Sequence, residues 1–365
     1  MHRRFIAATC ALALALSTVS LAACAPEQVA DEPAAPQDPA PLVIGTLPTE
    51  DMLPLWVAEE RGIFAELGLD SVEIVTFQAA QERDIALVAG EIDAFMGDII
   101  AAAQLEAAGT PVTIATVMLG STPAEGRFGI VGAPETGYND LAALAGVPIA
   151  TSMNTIQEYV VDGLMRQAGV DPADVVKEDV AKVPVRFDLL MQGQLKAAAL
   201  PEPLLTLAEA QGATLIADDT AGENISQTIL GFSDVYLAEP GGVEALVALL
   251  AAWDAGVEIV NEDPDAWRDL LVDEARLPEP VRDTYTINVY PKAQIPTAEQ
   301  VNAVLAWMAE KDILQNGVTY EDRVLLTPEG GAGGGTRGPR REPHVPGRGR
   351  RRRRARRARP RCRRR

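Results

Sequence analysis

Two stretches of the sequence resemble each other at a fixed spacing of 103 residues. LVAGEIDA at Leu87–Ala94 is matched by LMQGQLKA at Leu190–Ala197, and Gly109 further on is matched by Gly212. A repeat of this length predicts two units of the same architecture, since each unit contains the same succession of elements. The alternative is a chance likeness between ordinary strand–helix units.

Strand-like and helix-like segments alternate from Leu42 onwards. Short apolar or alternating runs predict strands, and runs with apolar residues at helical spacing predict helices. The segments are the strands Leu42–Thr46, Val72–Phe77, Ala94–Met96 and Val112–Met118, and the helices Met52–Arg61, Gln81–Ala89 and Ile99–Ala108. Strands separated by helices predict an α/β fold with parallel sheets, which binds ligands beyond the carboxyl ends of the strands.

Residues 25–330 contain neither histidine nor cysteine. This absence excludes Ser-His-Asp triads, cysteine nucleophiles, histidine bases and the usual zinc and copper sites from that part of the chain. It also excludes disulfides, so the two units must be stabilised by hydrophobic cores of their own. We expect no catalytic residues, no metal and no cofactor.

The same part of the chain is strongly acidic. Without the arginine-rich C-terminal segment and the two N-terminal arginines, the chain has 14 basic and 51 acidic residues, a net charge of about −37. A surface of this sign repels nucleic acid, so we expect no nucleic-acid partner.

The N-terminus has the order of an export signal. Arg3 and Arg4 precede an apolar run that ends at Leu21, and the sequence Leu-Ala-Ala-Cys follows, ending at Cys24. This sequence resembles the bacterial lipobox, which implies that residues 1–23 are removed and that Cys24 carries the lipid chains of a membrane anchor. An ordinary signal peptide with a chance cysteine is the alternative. The Pro- and Ala-rich segment up to residue 41 is expected to be a disordered linker.

Residues 331–365 contain 16 arginines and one acidic residue. Their composition predicts disorder. Electrostatic binding to nucleic acid is one interpretation. We favour a frameshift artefact, because the composition changes abruptly and an exported protein meets little nucleic acid.

Several segments, taken in order, resemble the solute-binding proteins of the nitrate, taurine, alkanesulfonate and thiamine-precursor family. The resemblance runs from about Leu42 to about Leu326. The segments are LWVAEERGIF at Leu55–Phe64, GEIDA at Gly90–Ala94, LAGVPIA at Leu144–Ala150, AGVDP at Ala168–Pro172 and PEP at Pro201–Pro203.

The resemblance implies a periplasmic-binding-protein type II fold. Two α/β lobes joined by two crossing hinge strands would close on a small-molecule solute, which is delivered to an ABC permease in the cytoplasmic membrane. Lobe one is expected at residues 42–131 plus 229–326, lobe two at 138–217, and the hinges at Phe128–Ala133 and Ile229–Leu237. We expect a monomer held at the outer face of the membrane by its lipid anchor.

Candidate ligand-binding residues follow the predicted strands of both lobes. Asp98 and Glu202 occupy nearly matching places and could hold an amine or a ring nitrogen; their alternative role is to cap helices. The N–H groups around residues 152–155 could bind an anionic or carbonyl group at a helix start. The candidates are Thr49, Glu50, Asp51, Asp98, Ser121, Thr122, Ser152, Met153, Asn154, Thr155, Arg186 and Glu202.

Few basic residues and several acids favour a neutral or nitrogen-containing solute, such as a pyrimidine, over a sulfonate or nitrate. A sulfonate, taurine or nitrate ligand remains an alternative, because helix N-termini and hydroxyls also bind anions. Some members of the family make a pyrimidine in a reaction that consumes one of their own histidines. Residues 25–330 contain no histidine that such a reaction could consume. A carboxylate-based enzyme using Asp98 and Glu202 is a second hypothesis, and a lipoprotein with an inert cleft is a third.

Overall fold

The computed structural model describes residues 37–221 and 225–314, which form two five-stranded sheets. The strands of the first sheet are β1 Leu42–Thr46, β2 Val72–Thr76, β3 Ala94–Asp98, β4 Val112–Leu119 and β10 Thr228–Ser233. Those of the second are β5 Phe128–Gly132, β6 Ile149–Thr151, β7 Lys177–Asp179, β8 Ala197–Pro201 and β9 Thr214–Asp218. The strand orders are β2-β1-β3-β10-β4 and β7-β6-β8-β5-β9.

The two sheets correspond strand by strand, as the 103-residue repeat predicts. The repeated segments end in β3 and β8, which occupy the middle of their sheets. Gly90 and Gly193 precede these strands, and both have a φ of 72°, in the left-handed region that glycine adopts without strain. Each glycine therefore ends the helix that leads into the strand.

The helices cover the faces of the two sheets. They are α1 Leu53–Glu60, α2 Ile63–Glu66, α3 Ala80–Ala89, α4 Ile99–Ala107, α5 Ile156–Gln167, α6 Val183–Met191, α7 Leu204–Ala210, α8 Asp234–Leu237, α9 Gly242–Glu262, α10 Arg268–Asp273 and α11 Ala298–Glu310. The seven elements predicted between residues 42 and 119 all lie within two residues of their observed bounds. Every helix in the described ranges is too short or too polar to cross a bilayer.

Each sheet is mixed and not purely parallel. β10 is antiparallel to β3 and β4, and β5 is antiparallel to β8 and β9. These two strands enter their sheets from the other lobe. The described residues before them, 120–127 and 225–227, contain no helical crossover of the kind that a parallel neighbour needs. The boundary of lobe one therefore falls before Phe128, because Phe128–Gly132 pairs within the second sheet. It was predicted after Val131.

Two tryptophans of the C-terminal helices are buried in the core. Trp253 of α9 is fully buried, and its indole Nε1 donates to the carbonyl of Pro291 at 3.0 Å. Trp307 of α11 donates to Asp162 of α5 at 3.0 Å and packs edge-on against Tyr159. α11 packs against α4 of lobe one and reaches α5 of lobe two through Trp307.

Several predictions concern segments outside the described residues. These are the signal peptide 1–23, Cys24, the linker up to residue 36, and the arginine-rich segment 331–365.

Candidate functional site

A cleft of about 570 Å³, including its open mouth, lies between the two lobes. It is bordered by the carboxyl ends of β3 and β8, where ligands of open α/β sheets are expected. Its walls are largely apolar. They include Leu47, Pro48 and Met96 from lobe one and Phe128, Val183 and Leu204 from lobe two.

Five of the predicted residues lie at this cleft. Thr49, Asp51, Asp98 and Glu202 line it, and Glu50 lines an adjoining pocket that shares Thr49, Asp51 and Glu202 with the cleft. The four acids are all buried, with exposed fractions between 3% and 7%. Burial raises the pKa of each of these carboxyls, because charge is less stable away from water.

Asp98 and Glu202 both bind the first turn of a helix. Asp98 Oδ1 accepts from the main-chain N–H of Ala101 at 2.8 Å, and Glu202 Oε2 accepts from that of Thr206 at 3.0 Å. Thr206 binds Glu202 through both its N–H and its hydroxyl. Their matching positions in the two lobes thus reflect a shared structural role.

Arg127, which was not predicted, organises the acids of lobe two. It lies in the first crossing segment and pairs with Glu202 at 3.0 Å, Glu209 at 2.9 Å and Asp218 at 3.1 Å. Although burial opposes it, the three carboxylates raise the pKa of Arg127, because they stabilise its charge. The second crossing is tied to the first, since Asp219 Oδ1 accepts from the N–H of Phe128 at 2.9 Å.

Glu50 is held by the C-terminal part of lobe one. Asn288 donates to Glu50 Oε1 at 2.7 Å, and the Tyr290 hydroxyl donates to the Glu50 carbonyl at 2.8 Å. The buried Tyr285 hydroxyl lies next to the Glu50 carboxyl and binds it through a side-chain hydrogen bond, which works against the rise in the pKa of Glu50. Burial raises the pKa of Glu50 to about 8, and the nearby Glu202 and Asp51 add to the rise.

Arg186 does not reach the cleft. It is fully buried, Nε donates to the Ala199 carbonyl at 2.7 Å, and Nη2 donates to the side-chain oxygen of Gln157, which does line the cleft. Arg186, one of the candidate ligand-binding residues, therefore lies outside the cleft. Burial lowers its pKa, and Asp179 opposes this effect.

Arg83 is the buried cation that sequence reasoning missed. It lines the cleft with 1% of its surface exposed, donates to the Met96 carbonyl at 2.6 Å and pairs with Asp84 at 2.6 Å. The 103-residue repeat relates it to Arg186. That spacing was the signal that could have identified it.

The start of α5 uses its polar groups internally. Asp179 accepts from the N–H of Met153 at 3.2 Å, Glu158 accepts from that of Asn154 at 2.7 Å, and the Thr155 hydroxyl accepts from that of Gln157 at 3.2 Å. The proposed anion site is therefore filled by carboxylates of the chain itself. Met153, Asn154 and Thr155 border a second groove next to Asp98 and do not line the main cleft.

Ser121 and Thr122 were also misplaced. Both bind the carboxyl group of Glu125 within the first crossing segment, and neither lines the cleft. Glu125 lies three and four residues further along the chain, so a local turn satisfies these hydroxyls.

Several polar contacts between described residues join the lobes. Lys182 pairs with Glu82 at 2.7 Å. Gln104 donates to the Asn154 carbonyl at 2.9 Å, and Gln81 donates to the Ser152 hydroxyl at 3.4 Å. These contacts join α3 and α4 of lobe one to the starts of α5 and α6, so the two lobes are closed on each other.

Solved structures with the same fold cover most of this chain. The periplasmic aliphatic sulphonate binding protein SsuA from Escherichia coli is 19% identical, with a TM-score of 0.65, over 78% of this chain and 97% of that chain. The periplasmic nitrate-binding protein NrtA from Synechocystis PCC 6803 is 15% identical, with a TM-score of 0.66, over 78% and 84%. DszB in complex with biphenyl-2-sulfinic acid is 15% identical, with a TM-score of 0.56, over 77% and 94%.

These likenesses confirm the two-lobed periplasmic-binding-protein fold predicted from the sequence. A search of curated proteins gave no match. The model of the NMT1-like family matches residues 35–254, which is more than half of the chain. The chain therefore belongs to the NMT1-like family.

Proposed function

We propose that the protein is an exported solute-binding protein that captures a small organic solute between its lobes and delivers it to an ABC importer. The observation that carries this proposal is the cleft itself, which takes residues from both lobes at the carboxyl ends of β3 and β8. A solute bound there touches both lobes and stabilises their closure. The shared fold with SsuA and NrtA supports the proposal.

The charges in the cleft favour a nitrogen-containing solute, such as a pyrimidine. Three buried acids line the cleft, and a fourth, Glu50, lines the pocket that adjoins it. The two arginines there are already paired with carboxylates, Arg83 with Asp84 and Arg127 with three acids. A sulfonate or nitrate would therefore meet little uncompensated positive charge. An anionic solute is the alternative, because SsuA binds aliphatic sulphonates and NrtA binds nitrate on the same fold.

The anchor is a proposal of its own. The Leu-Ala-Ala-Cys sequence ending at Cys24 supports lipidation and attachment to the outer face of the membrane. Labelled fatty acid should enter the wild-type protein in growing cells, and Cys24→Ser should release unlabelled protein from the membrane fraction. Equal labelling of both forms would contradict the anchor.

We propose binding without turnover. The candidate acid and base, Asp98 and Glu202, each hold a helix start, and Glu202 is also paired with Arg127. These bonds leave neither carboxyl poised for proton transfer. A bound solute should be recovered unchanged after long incubation, and a product at stoichiometric excess over protein would establish an enzyme.

A thermal-shift screen of the purified protein tests the binding function. The panel contains pyrimidines, amines, sulfonates, nitrate and flavins. A solute present at about 100 times its dissociation constant should add about 2.7 kcal/mol of stability, which is readily seen. Folded protein that gives no shift with any member would contradict the proposal and favour an inert cleft.

A further inference from the structure

Gln157 of α5 offers the cleft a hydrogen-bond donor in a fixed orientation. Its side-chain Oε1 accepts from Nη2 of the fully buried Arg186. A guanidinium has donors and no acceptor, so the amide oxygen faces Arg186 and the amide NH2 group faces away from it. Gln157 lines the cleft with 6% of its surface exposed, and within the described ranges its Nε2 has no hydrogen-bond partner. A polar group left unpaired on a buried side chain points to a ligand acceptor at this position.

Arg186 is itself fixed by the main chain of lobe two. Its Nε donates to the Ala199 carbonyl at 2.7 Å, and its Nη1 donates to the Val180 carbonyl at 2.5 Å. Together with Gln157, these acceptors hold the planar guanidinium on three sides. The amide of Gln157 is therefore oriented before a solute enters, which lowers the cost of binding an acceptor there.

The charged groups that line the cleft already have partners in the protein. Asp51 accepts from the Thr49 hydroxyl at 2.5 Å, and Asp98 and Glu202 each accept from the first turn of a helix. Arg83 is bound to a main-chain carbonyl and to a neighbouring carboxylate. Burial also raises the pKa of the three acids, which reduces the negative charge that a cation would meet. These groups favour an uncharged solute.

Gln78 supplies a second amide, from lobe one. It follows β2 and lines the cleft, and its side chain makes no hydrogen bond to another described residue. No guanidinium fixes this amide, so it can present either its oxygen or its NH2 group. Leu47, Phe128 and Val183 provide apolar walls around the two amides. An apolar ring that carries a carbonyl would bury its body against these walls and accept from Gln157.

We propose that Gln157 is a specificity residue of the cleft and selects uncharged solutes that turn a carbonyl oxygen or an unprotonated ring nitrogen towards lobe two. The proposal rests on the solute-binding function proposed above and specifies its ligand class. The ring carbonyl of a pyrimidine has this chemistry. A protonated amine at the same place would bring donors towards the NH2 group and leave it unpaired, which a site built around a hydrogen bond rejects.

Three probes with the same carbon skeleton test this selectivity on the wild-type protein. 1-Phenylethanone has only an acceptor, 1-phenylethylammonium has only donors, and 1-phenylethanol has both. Each is titrated separately into the purified protein at neutral pH by calorimetry. The ketone should bind about tenfold or more tightly than the ammonium, because it accepts from Gln157. The alcohol should bind within about threefold of the ketone, since its hydroxyl also accepts.

Gln157→Glu removes the donor and keeps the contact with Arg186. One carboxylate oxygen accepts from the guanidinium as the amide oxygen does, and the other turns an acceptor to the cleft in place of the donor. The ketone should bind this variant about tenfold or more weakly than wild type, whereas the ammonium should not weaken. The alcohol should change by less than about threefold, because its hydroxyl can donate instead.

Gln167→Glu is the matched control. Gln167 is exposed at the other end of α5, and the substitution changes the net charge equally. All three probes should bind this variant within about twofold of wild type.

The ranking of the probes on the wild-type protein does not depend on how any variant folds. A ketone that binds no more tightly than the ammonium overturns the selection by Gln157. So does a Gln157→Glu protein that binds the ketone as well as wild type, or one that loses all three probes alike. A hit in the thermal-shift panel would then leave the binding function standing. No hit in that whole panel is the separate outcome that contradicts the function itself.

Discussion

Arg83 and Arg186 occupy equivalent positions in the two lobes and bind the main chain in the same way. Nη1 of Arg83 lies 2.6 Å from the carbonyl oxygen of Met96, and Nε of Arg186 lies 2.7 Å from that of Ala199. Donors and acceptors are both separated by 103 residues. Each guanidinium therefore holds the strand that ends at the cleft, β3 or β8.

Replacing either arginine should destabilise the protein strongly. Arg186→Met leaves the carbonyls of Val180 and Ala199 without their donor inside the protein. We expect a loss of about 3 kcal/mol in the free energy of unfolding in urea, because hydrogen bonds to a charged group are worth about 1.5–3 kcal/mol each. Arg166→Met, at an exposed ion pair with Glu310, is the control and should cost under about 1 kcal/mol. Equal stability of the two variants would contradict the structural role.

The ligand-free protein should lose stability as the pH rises from about 5 to about 8. Burial raises the pKa of Glu50 from 4.5 to about 8 and that of Asp219 from 3.8 to about 7. The folded state therefore holds protons that the unfolded chain releases. The stabilisation from these carboxyls is complete below their pKa values in the unfolded chain, and it is lost as the pH rises through their pKa values in the folded protein. The protonated Glu50 carboxyl alone contributes on the order of 4 kcal/mol to the free energy of unfolding at low pH.

Glu50→Gln should flatten this pH dependence, because the amide does not ionise. Urea unfolding at several pH values measures it for both proteins. The slope that remains should come from the other buried carboxyls with raised pKa values, which are Asp51, Asp98, Glu202 and Asp219. Glu91→Gln, an exposed substitution on the loop after α3, should behave as wild type. Identical profiles for wild type and Glu50→Gln would show that the Glu50 carboxyl is not held protonated.

Lys177 and Lys311 should act together on the buried Glu158. They lie 2.7 and 2.8 Å from its carboxylate, and both also pair with Asp162. Burial opposes ionisation of Glu158, but hydrogen bonds from the two lysines lower its pKa. Either lysine alone keeps the carboxylate paired, whereas loss of both leaves it buried and unpaired.

A double-mutant cycle with Lys177→Met and Lys311→Met measures this coupling. The double variant should lose about 3 kcal/mol or more, and more than the sum of the single variants. Arg166 lies at the same face of α5 but outside this cluster. The stability lost in Arg166→Met should therefore simply add to the stability lost in either lysine variant. Strict additivity of the lysine pair would mean that the two lysines act independently.

The ion pair between Lys182 and Glu82 should favour closure of the lobes. Both side chains are about half exposed, at 53% and 41%, so the effect is modest and sensitive to salt. Lys182→Glu should weaken solute binding by about two- to fivefold at low ionic strength. Adding Glu82→Lys should restore the affinity. In scattering measurements of the solute-bound proteins, wild type and the double variant should be more compact than Lys182→Glu. A swap that fails to restore binding would remove the pair from the closure mechanism.

The fold followed closely from local features of the sequence. The bounds of α1, α3 and α4 were predicted to within two residues, and Gly90 and Gly193 correctly mark the helix ends before β3 and β8. The mixed character of the sheets was not predicted. β5 and β10 have the same apolar pattern as parallel strands, and their direction depends on where the chain crosses between the lobes.

The site was predicted less well, because polar residues near strand ends have several possible partners. Thr49, Glu50, Asp51, Asp98 and Glu202 do lie at the cleft. Arg186 satisfies main-chain carbonyls of its own lobe, and the N–H groups at the start of α5 bind Asp179 and Glu158. A residue that binds its own chain and a residue that awaits a ligand look alike in the sequence.

The sequence by itself determined the two α/β lobes and their repeat, since helix periodicity, strand alternation and helix-ending glycines act over a few neighbouring residues. Only the tertiary structure decided which buried polar groups are satisfied. Asn288 reaches Glu50 from 238 residues away, and Arg127 collects three acids from separate elements. Such partners meet only after the chain has packed, so no local pattern in the sequence could reveal them.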